Sequence, residues 1–437
     1  MKILLINPPI KFIEGQGDRP PLGLAYLAAN LLKNGKEHVK ILDLSTKPNF
    51  SLPEYLLQEK PDIVAISSMT PTFFECAAIS KICKETLKGI ITVAGGPHPS
   101  SLPEQTLKES DFDIVIYGEG EVTFDKLIDT LENKGNLKDV QGLYYNEEGK
   151  ILSTEPRQLQ ENIDMIPFPA RHLLNMEEYT MKIQGLPATT IITSRGCPFS
   201  CVYCNKSVFG NKFRARSPRN IVDEIKEITK TYGIKAFLFV DDTFTYDYKR
   251  TEGICDLIIK EKLGIIWRCW TRSDKVDKNL IKKMYEAGCT EMSFGIESGN
   301  QQVLNKIRKG TLVEQNEKAI KWAREMGIYV KAFFMIGLPG ESMNTVKDNL
   351  EFIKKADPNN VDFYIMTPFP STKVWDDPES LGIKIVSKDW RSYFHAGKEG
   401  ATHSVVATEH MSRKEIDLAY EWIVKEYEKI KNSENSK

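Results

Sequence analysis

The chain has 437 residues, too long for one ordinary core, and its 41% hydrophobic and 27% charged residues describe a globular protein of two or three domains. Lysines and arginines number 59 against 60 acidic residues, leaving a net charge of −1. That balance argues against a basic nucleic-acid face or an acidic tail.

The first residues, "MKILLINPPI", hold a short apolar run with no small-residue cleavage site behind it, so they read as a strand and not as a signal peptide. No stretch approaches the ~20 apolar residues that span a bilayer. A cytoplasmic location is the expectation, where thiols stay reduced and clustered cysteines favour metal over disulfides. From Leu22 apolar residues recur at helical spacing as far as Gly35. "VKILDLS", "DIVAISS", "ITVAGGPHP" and "DIVIYGEGE" are further strands, alternating with helical segments such as "FFECAAISKICKETLKG" and "SLPEQTLKES". This alternation predicts a doubly wound, Rossmann-like α/β domain over residues 1–135, with ligands beyond the carboxyl ends of its strands.

"GLYYNEEGKILSTEP" predicts a hairpin turning at Asn146 to Gly149, and with the Pro-rich "IPFPARHLL" it forms a connecting region, 136–185. A second alternating series starts at "ATTIITSRGC" and continues through "AFLFVDD", "IIWRCWTR", "TEMSFGIESG", "YVKAFFMIGLPG" and "NVDFYIMTPFP". Six βα units predict a partial TIM-type (β/α)6 barrel, residues 186–375. Residues 376–437 read as a helical C-terminal segment, with "NSENSK" frayed.

Three of the eight cysteines, Cys197, Cys201 and Cys204, fall in "TSRGCPFSCVYCN" as CxxxCxxC directly after a predicted strand. Structural zinc sites close with four ligands, and no partner pair lies nearby. A 4Fe–4S cube held by three thiolates leaves one iron open to a ligand that is not protein, whereas ferredoxin-type clusters use four cysteines. Cys76, Cys83, Cys255 and Cys289 sit in apolar patterns and read as core thiols. Cys269, on a barrel strand, either packs in the core or points inward.

"CPFSCVYC" resembles the cluster loop of radical S-adenosylmethionine enzymes, CxxxCxΦC with an aromatic Φ, here Tyr203. The resemblance implies that the three cysteines hold a 4Fe–4S cluster and that the amino and carboxylate groups of S-adenosylmethionine fill the open iron. An electron from the cluster then cleaves the sulfonium to methionine and a 5′-deoxyadenosyl radical. It places Asp241 and Asp242 of "FVDDTF" near the methionine amino group, or one of them as a cap on the next helix. Ser293 and Glu297 of "FGIESGN" would face the cofactor, unless Glu297 is a surface turn acid. Arg272 either forks onto the methionine carboxylate or is a surface arginine. Gly337 and Gly340 of "FMIGLPGES" let backbone approach the adenine or serve only a tight turn.

With "NPP", "PPLGLAYLAA", "GGPHPS" and "GEGE" ahead of the cluster loop, the chain resembles the cobalamin-binding class of these enzymes over residues 1 to about 375. Gly95 and Gly96 would approach the nucleotide tail of the cobalamin or serve only a strand-to-helix turn, and Gly118 would also approach the cobalamin. No DxHxxG motif is present, and neither His38 nor His98 has its spacing, so the resemblance implies base-off cobalamin without a histidine ligand. "GEGEVT" also lacks the third glycine of a dinucleotide fingerprint.

The leading expectation is a cobalamin-dependent methyltransferase acting on an unactivated carbon of a small molecule. Its electron donor would be a low-potential ferredoxin or flavodoxin, and no nucleic acid would be involved. The alternatives are a radical cyclase or mutase without methyl transfer, of the anaerobic tetrapyrrole-cyclase type, and a non-catalytic iron–sulfur or zinc protein. A methylthiotransferase is disfavoured because the first domain lacks its own cysteine triad. No catalytic residue is singled out. Tyr364, Trp375 and His395 are candidate substrate contacts, with packing the expected role of the two aromatics.

Overall fold

The computed structural model describes residues 1–10, 17–393 and 403–434, so His395 and the last three residues lie outside it. Two compact units divide the chain: Met1–Met181 with Asn205–Lys212, and Lys182–Cys204 with the remainder.

The first unit is a seven-stranded sheet. Its strands are β1 (Ile3–Asn7), β2 (Val39–Asp43), β3 (Ile63–Ser67), β4 (Ile91–Gly95), β5 (Ile114–Ile116), β6 (Leu143–Glu147) and β7 (Lys150–Ser153), in the order β2-β1-β3-β4-β5-β6-β7. The first five run parallel and the last two antiparallel. The hairpin assigned by sequence to a connecting region therefore extends the first sheet.

Helices α1 (Leu22–Lys33), α2 (Leu52–Glu59), α3 (Phe73–Thr86), α4 (Pro97–Ser101), α5 (Pro103–Lys108) and α6 (Glu121–Glu132) connect the strands. Successive residues of β1 serve opposite faces, as a pleat requires. Ile3 and Leu5 pack with Leu24, Leu31 and Phe124, while Leu4 and Ile6 pack with Leu56, Ile79 and Phe112. Both faces are covered, which is why the strands read as continuous apolar runs.

The second unit carries β8 (Lys182–Ile183), β9 (Leu186–Ile191), a two-residue pair β10 (Ser194–Arg195) and β11 (Arg214–Ala215), then β12 (Ala236–Phe239), β13 (Ile266–Thr271), β14 (Cys289–Glu297), β15 (Tyr329–Ile336) and β16 (Asn360–Ile365). Strands β9, β12, β13, β14, β15 and β16 are parallel neighbours in chain order, the six-stranded partial barrel. Helices α7 (Pro218–Tyr232), α8 (Tyr248–Lys260), α9 (Lys278–Glu286), α10 (Gln301–Lys306), α11 (Val313–Glu325) and α12 (Met343–Ala356) alternate with them.

Burial alternates along β13, with Trp267 and Cys269 covered and Trp270 lining an open cavity. The pleat thus turns Cys269 away from the barrel interior, next to Cys289 and Cys255. Cys76, Cys83, Cys255 and Cys289 are buried thiols as expected, and burial pushes the first three up to about 12.

Beyond α13 (Lys373–Asp376), an antiparallel pair, β17 (Ile383–Ile385) and β18 (Val406–Thr408), precedes α14 (Arg413–Glu434). That pair has no counterpart in the sequence reading, and α14 continues through Asn432 to Glu434, where fraying was expected. Trp375 packs on Trp390, with ring centroids 5.5 Å apart. No helix of the described residues is long and apolar enough to cross a membrane.

Leu5 is fully buried between sheet and helices, whereas Leu57 is 54% exposed. Leu5→Ala should cost about 2–5 kcal/mol of unfolding free energy in urea, and Leu57→Ala less than about 0.5 kcal/mol.

Candidate active site

The cysteine loop is anchored at its base. Asp241 follows β12, and because Phe239 pairs with Ile191 in register, it stands beside Thr193 at the end of β9. Its buried carboxylate accepts from Thr193 N (2.6 Å), Ser194 N (3.1 Å), Ser194 Oγ (2.8 Å) and the Thr193 hydroxyl. Arg250, in the first turn of α8, donates to the carbonyls of Thr193 (2.7 Å) and Arg216 (2.9 Å). The pair β10–β11 then closes the loop. Neither Asp241 nor Asp242 caps the next helix: Asp247 does, accepting from Arg250 N. Asp242 is exposed, beside the cavity described next.

Cys197, Cys201 and Cys204 form no disulfide, are half-buried and line one cavity of about 270 Å³ at the carboxyl ends of the barrel strands. Between them Val202 is buried, its N–H donating to the Ile307 carbonyl (3.1 Å) and its carbonyl accepting from Val374 N (3.0 Å). The cavity wall includes Trp270 and Ser293, register partners on β13 and β14, and Phe333 on β15.

Arg272 is buried, not a surface arginine. Its Nε and Nη2 fork onto Asp274 (2.8 and 3.1 Å), Nη1 lies 3.9 Å from Cys201 Sγ, and the guanidinium carbon sits 3.7 Å from the Phe199 ring centroid.

Glu297 is buried as well, not a surface turn acid. It adopts φ +67° at a register shift between β14 and β15, a left-handed conformation unusual for glutamate. Lys309 Nζ meets its Oε1 at 2.7 Å, and the Tyr203 phenol lies close enough to feel the same carboxylate's charge. Burial, followed by the charges of Glu297 and the cluster-loop thiols, holds the Tyr203 phenol well above its ordinary value. A Cβ on Gly295 would lie 2.6 Å from Glu297 Oε1, so only glycine leaves room for this ion pair.

Gly337 and Gly340 form a tight turn and are not among the residues lining the cavity. Gly337 N donates to Glu341 Oε2 (2.6 Å), and a Cβ on Gly340 would meet Lys306 Cδ at 2.7 Å. Glu341 is completely buried, and desolvation raises it to about 8.

In the first unit, Gly96 lies against Ser68, whose carbonyl would be 2.9 Å from an added Cβ. An added Cβ on Gly95 would make only an ordinary contact, with Ile116 O at 3.9 Å. Gly118 donates its N–H to Ser100 Oγ (3.0 Å). His98 is buried, 4.4 Å from the Phe73 ring between centroids, with Nδ1 3.3 Å from Thr70 Oγ1. Burial lowers it to about 4, so it is a neutral core histidine near pH 7.

The family described as the Radical SAM superfamily matches residues 191–353, and the B12 binding domain matches residues 12–128. The chain is 38% identical to the uncharacterized methyltransferase PH0819 of Pyrococcus horikoshii, over 90% of this chain and 86% of that protein. The chain belongs to the radical S-adenosylmethionine enzymes that carry a B12-binding domain. It is also 30% identical to the anaerobic magnesium-protoporphyrin IX monomethyl ester cyclase of Rubrivivax gelatinosus, over 90% of this chain and 72% of that one. Among solved structures, the radical S-adenosylmethionine methyltransferase TsrM of Kitasatospora setae, with cobalamin and a [4Fe-4S] cluster bound, shares the fold. Its TM-score is 0.75 at 18% identity, covering 89% of this chain and 78% of that chain.

The donor set fits an iron–sulfur cluster in this radical enzyme: three soft thiols open to one cavity, with a guanidinium beside one of them. Gly95, at the carboxyl end of β4, is not crowded by its neighbours, which fits a ligand approached by backbone. Lys309 is the site residue that sequence reasoning missed. It lies twelve residues beyond Glu297 in the unremarkable run "IRKG", which carries no motif. The bracing residues Thr193, Ser194 and Arg250 were equally unmarked.

Removing Lys309 as Lys309→Ala strands the Glu297 carboxylate in a buried site and should cost about 3–5 kcal/mol in urea unfolding of the unloaded chain. Glu341 should make stability fall as pH rises from about 4.5 through about 8, because the folded state holds a proton that the unfolded state releases. Glu341→Gln should flatten that slope in denaturation midpoints between pH 5.5 and 8.5.

Proposed function

We propose that this protein cleaves S-adenosylmethionine reductively and, with cobalamin, transfers a methyl group to an unactivated carbon of a small-molecule substrate. The observation that carries this reading is the combination of three thiols on one cavity at the barrel strand ends with a B12-type α/β domain ahead of them. The name of the 38% identical relative, a methyltransferase, supports the transferred group.

When bound, the cluster supplies the electron that divides S-adenosylmethionine into methionine and a 5′-deoxyadenosyl radical, and cobalamin carries the methyl group. Cys197, Cys201 and Cys204 hold the cluster. Ser293 and the Glu297–Lys309 pair present polar groups to the ribose and amino-acid ends of the cosubstrate. Asp242 stands exposed at the cavity, where it would meet the amino group. Trp270, Phe199 and Phe333 give the cavity aromatic walls that exclude water from the radical. Gly95 and Gly118 present backbone to the cobalamin. The burial of His98 supports base-off binding without a histidine ligand. A cytoplasmic location and a ferredoxin or flavodoxin donor belong to the same reading.

Oxidative cyclisation is the second reading, favoured by the 30% identity to the anaerobic cyclase. Anaerobic incubation of the reconstituted chain with deuteromethyl S-adenosylmethionine, dithionite and hydroxocobalamin separates the two. Methyl transfer should yield 5′-deoxyadenosine, S-adenosylhomocysteine and labelled cobalamin, and Cys201→Ala should abolish the deoxyadenosine. Deoxyadenosine alone would transfer the assignment to cyclase chemistry. A fully loaded cluster that cleaves nothing would refute both.

A further inference from the structure

We propose that the buried Asp274–Arg272 pair sets the reduction potential of the cluster through Cys201, and that Arg272 is a positioning residue for that thiolate and not the partner of the cosubstrate carboxylate. The inference rests on the reading of the three cysteines as cluster ligands.

Three contacts restrain the guanidinium. Its Nε–Nη2 edge, the edge that would fork side-on to a carboxylate, is filled by Asp274. Its face lies over Phe199, inside the cysteine motif, and Nη1 reaches Cys201 Sγ. With Arg272 4% exposed and Asp274 partly covered, solvent screens these charges weakly.

A hydrogen-bond donor and a positive charge beside a ligand sulfur stabilise the electron-rich state of a cluster and raise its potential. Asp274 does the opposite. It orients the guanidinium and offsets part of its field. The net potential is then a balance of two opposite charges at fixed geometry, so the two should respond in opposite directions to neutralisation.

The test is an anaerobic redox titration, followed by electron paramagnetic resonance, of the reconstituted full-length protein and its R272Q, R272K and D274N variants. Iron content and S-adenosylmethionine affinity are measured on the same samples. The midpoint should move negative in R272Q, less so in R272K, and positive in D274N, with cosubstrate affinity unchanged. Unmoved midpoints at full iron content overturn the proposal, and so do shifts of one sign in all three, which would report general loosening of the loop. Lost cosubstrate affinity in R272Q with an unmoved midpoint also overturns it and returns Arg272 to the carboxylate. Should R272Q bind too little iron to titrate, R272K and D274N still decide the sign. An unaltered protein that assembles no cluster overturns the cluster reading itself, a failure separate from the other outcomes.

Discussion

Four hydrogen bonds onto one buried carboxylate hold the base of the cysteine loop, and the geometry of the cavity depends on them. A glycine-marked polar loop buries too little apolar surface to fix its own position. Its placement comes from the ends, where Asp241 binds Thr193 and Ser194, and from Val202, which is pinned between Ile307 and Val374. Parallel register makes the first of these possible. With β9 and β12 adjacent and Ile191 opposite Phe239, the residue two positions past each strand meets its counterpart. Arg250 adds a second restraint from α8, so strand and helix both hold the segment that leads into Cys197.

The cavity concentrates charge where water has little access. Arg272 pairs with Asp274 and Glu297 with Lys309, each pair internally neutral and largely buried. Such pairs contribute little net stability, since desolvation offsets much of the attraction. What they supply is fixed direction: hydrogen-bond donors and acceptors already aimed before any ligand arrives. Glu297 bears backbone strain for this, at φ +67°, and Gly295 supplies the space. The aromatic rings of Phe199 and Trp270 keep the surroundings of low polarity.

The first unit follows a different logic. Its sheet is buried on both faces, so position along the chain is dictated by apolar pairing, and the polar and glycine residues collect at the carboxyl ends of the strands. Gly96 there serves the protein, allowing the loop after β4 to lie on Ser68, whereas Gly95 meets only an ordinary contact with Ile116. His98, the histidine nearest these strand ends in sequence, packs at a tilt against Phe73 and is neutral.

Much of this was legible in the order of residues. Apolar runs separated by amphipathic segments specify two successive βα series, because the two periodicities are local. CxxxCxxC specifies a three-thiolate loop because its ligands are close in sequence. Tertiary structure alone decided which side of each strand a residue occupies and what partner it meets there. The pleat turned Cys269 to the helices and Trp270 to the cavity. The register shift at Gly295 brought Glu297 to Lys309. Arg272, ambiguous as sequence, became a neighbour of Cys201. The hairpin at 143–153 joined the first sheet because Ile114, Val115 and Ile116 offered an unpaired edge. Each of these pairs residues far apart in the chain, and such contacts arise from packing and register, to which local sequence patterns are blind.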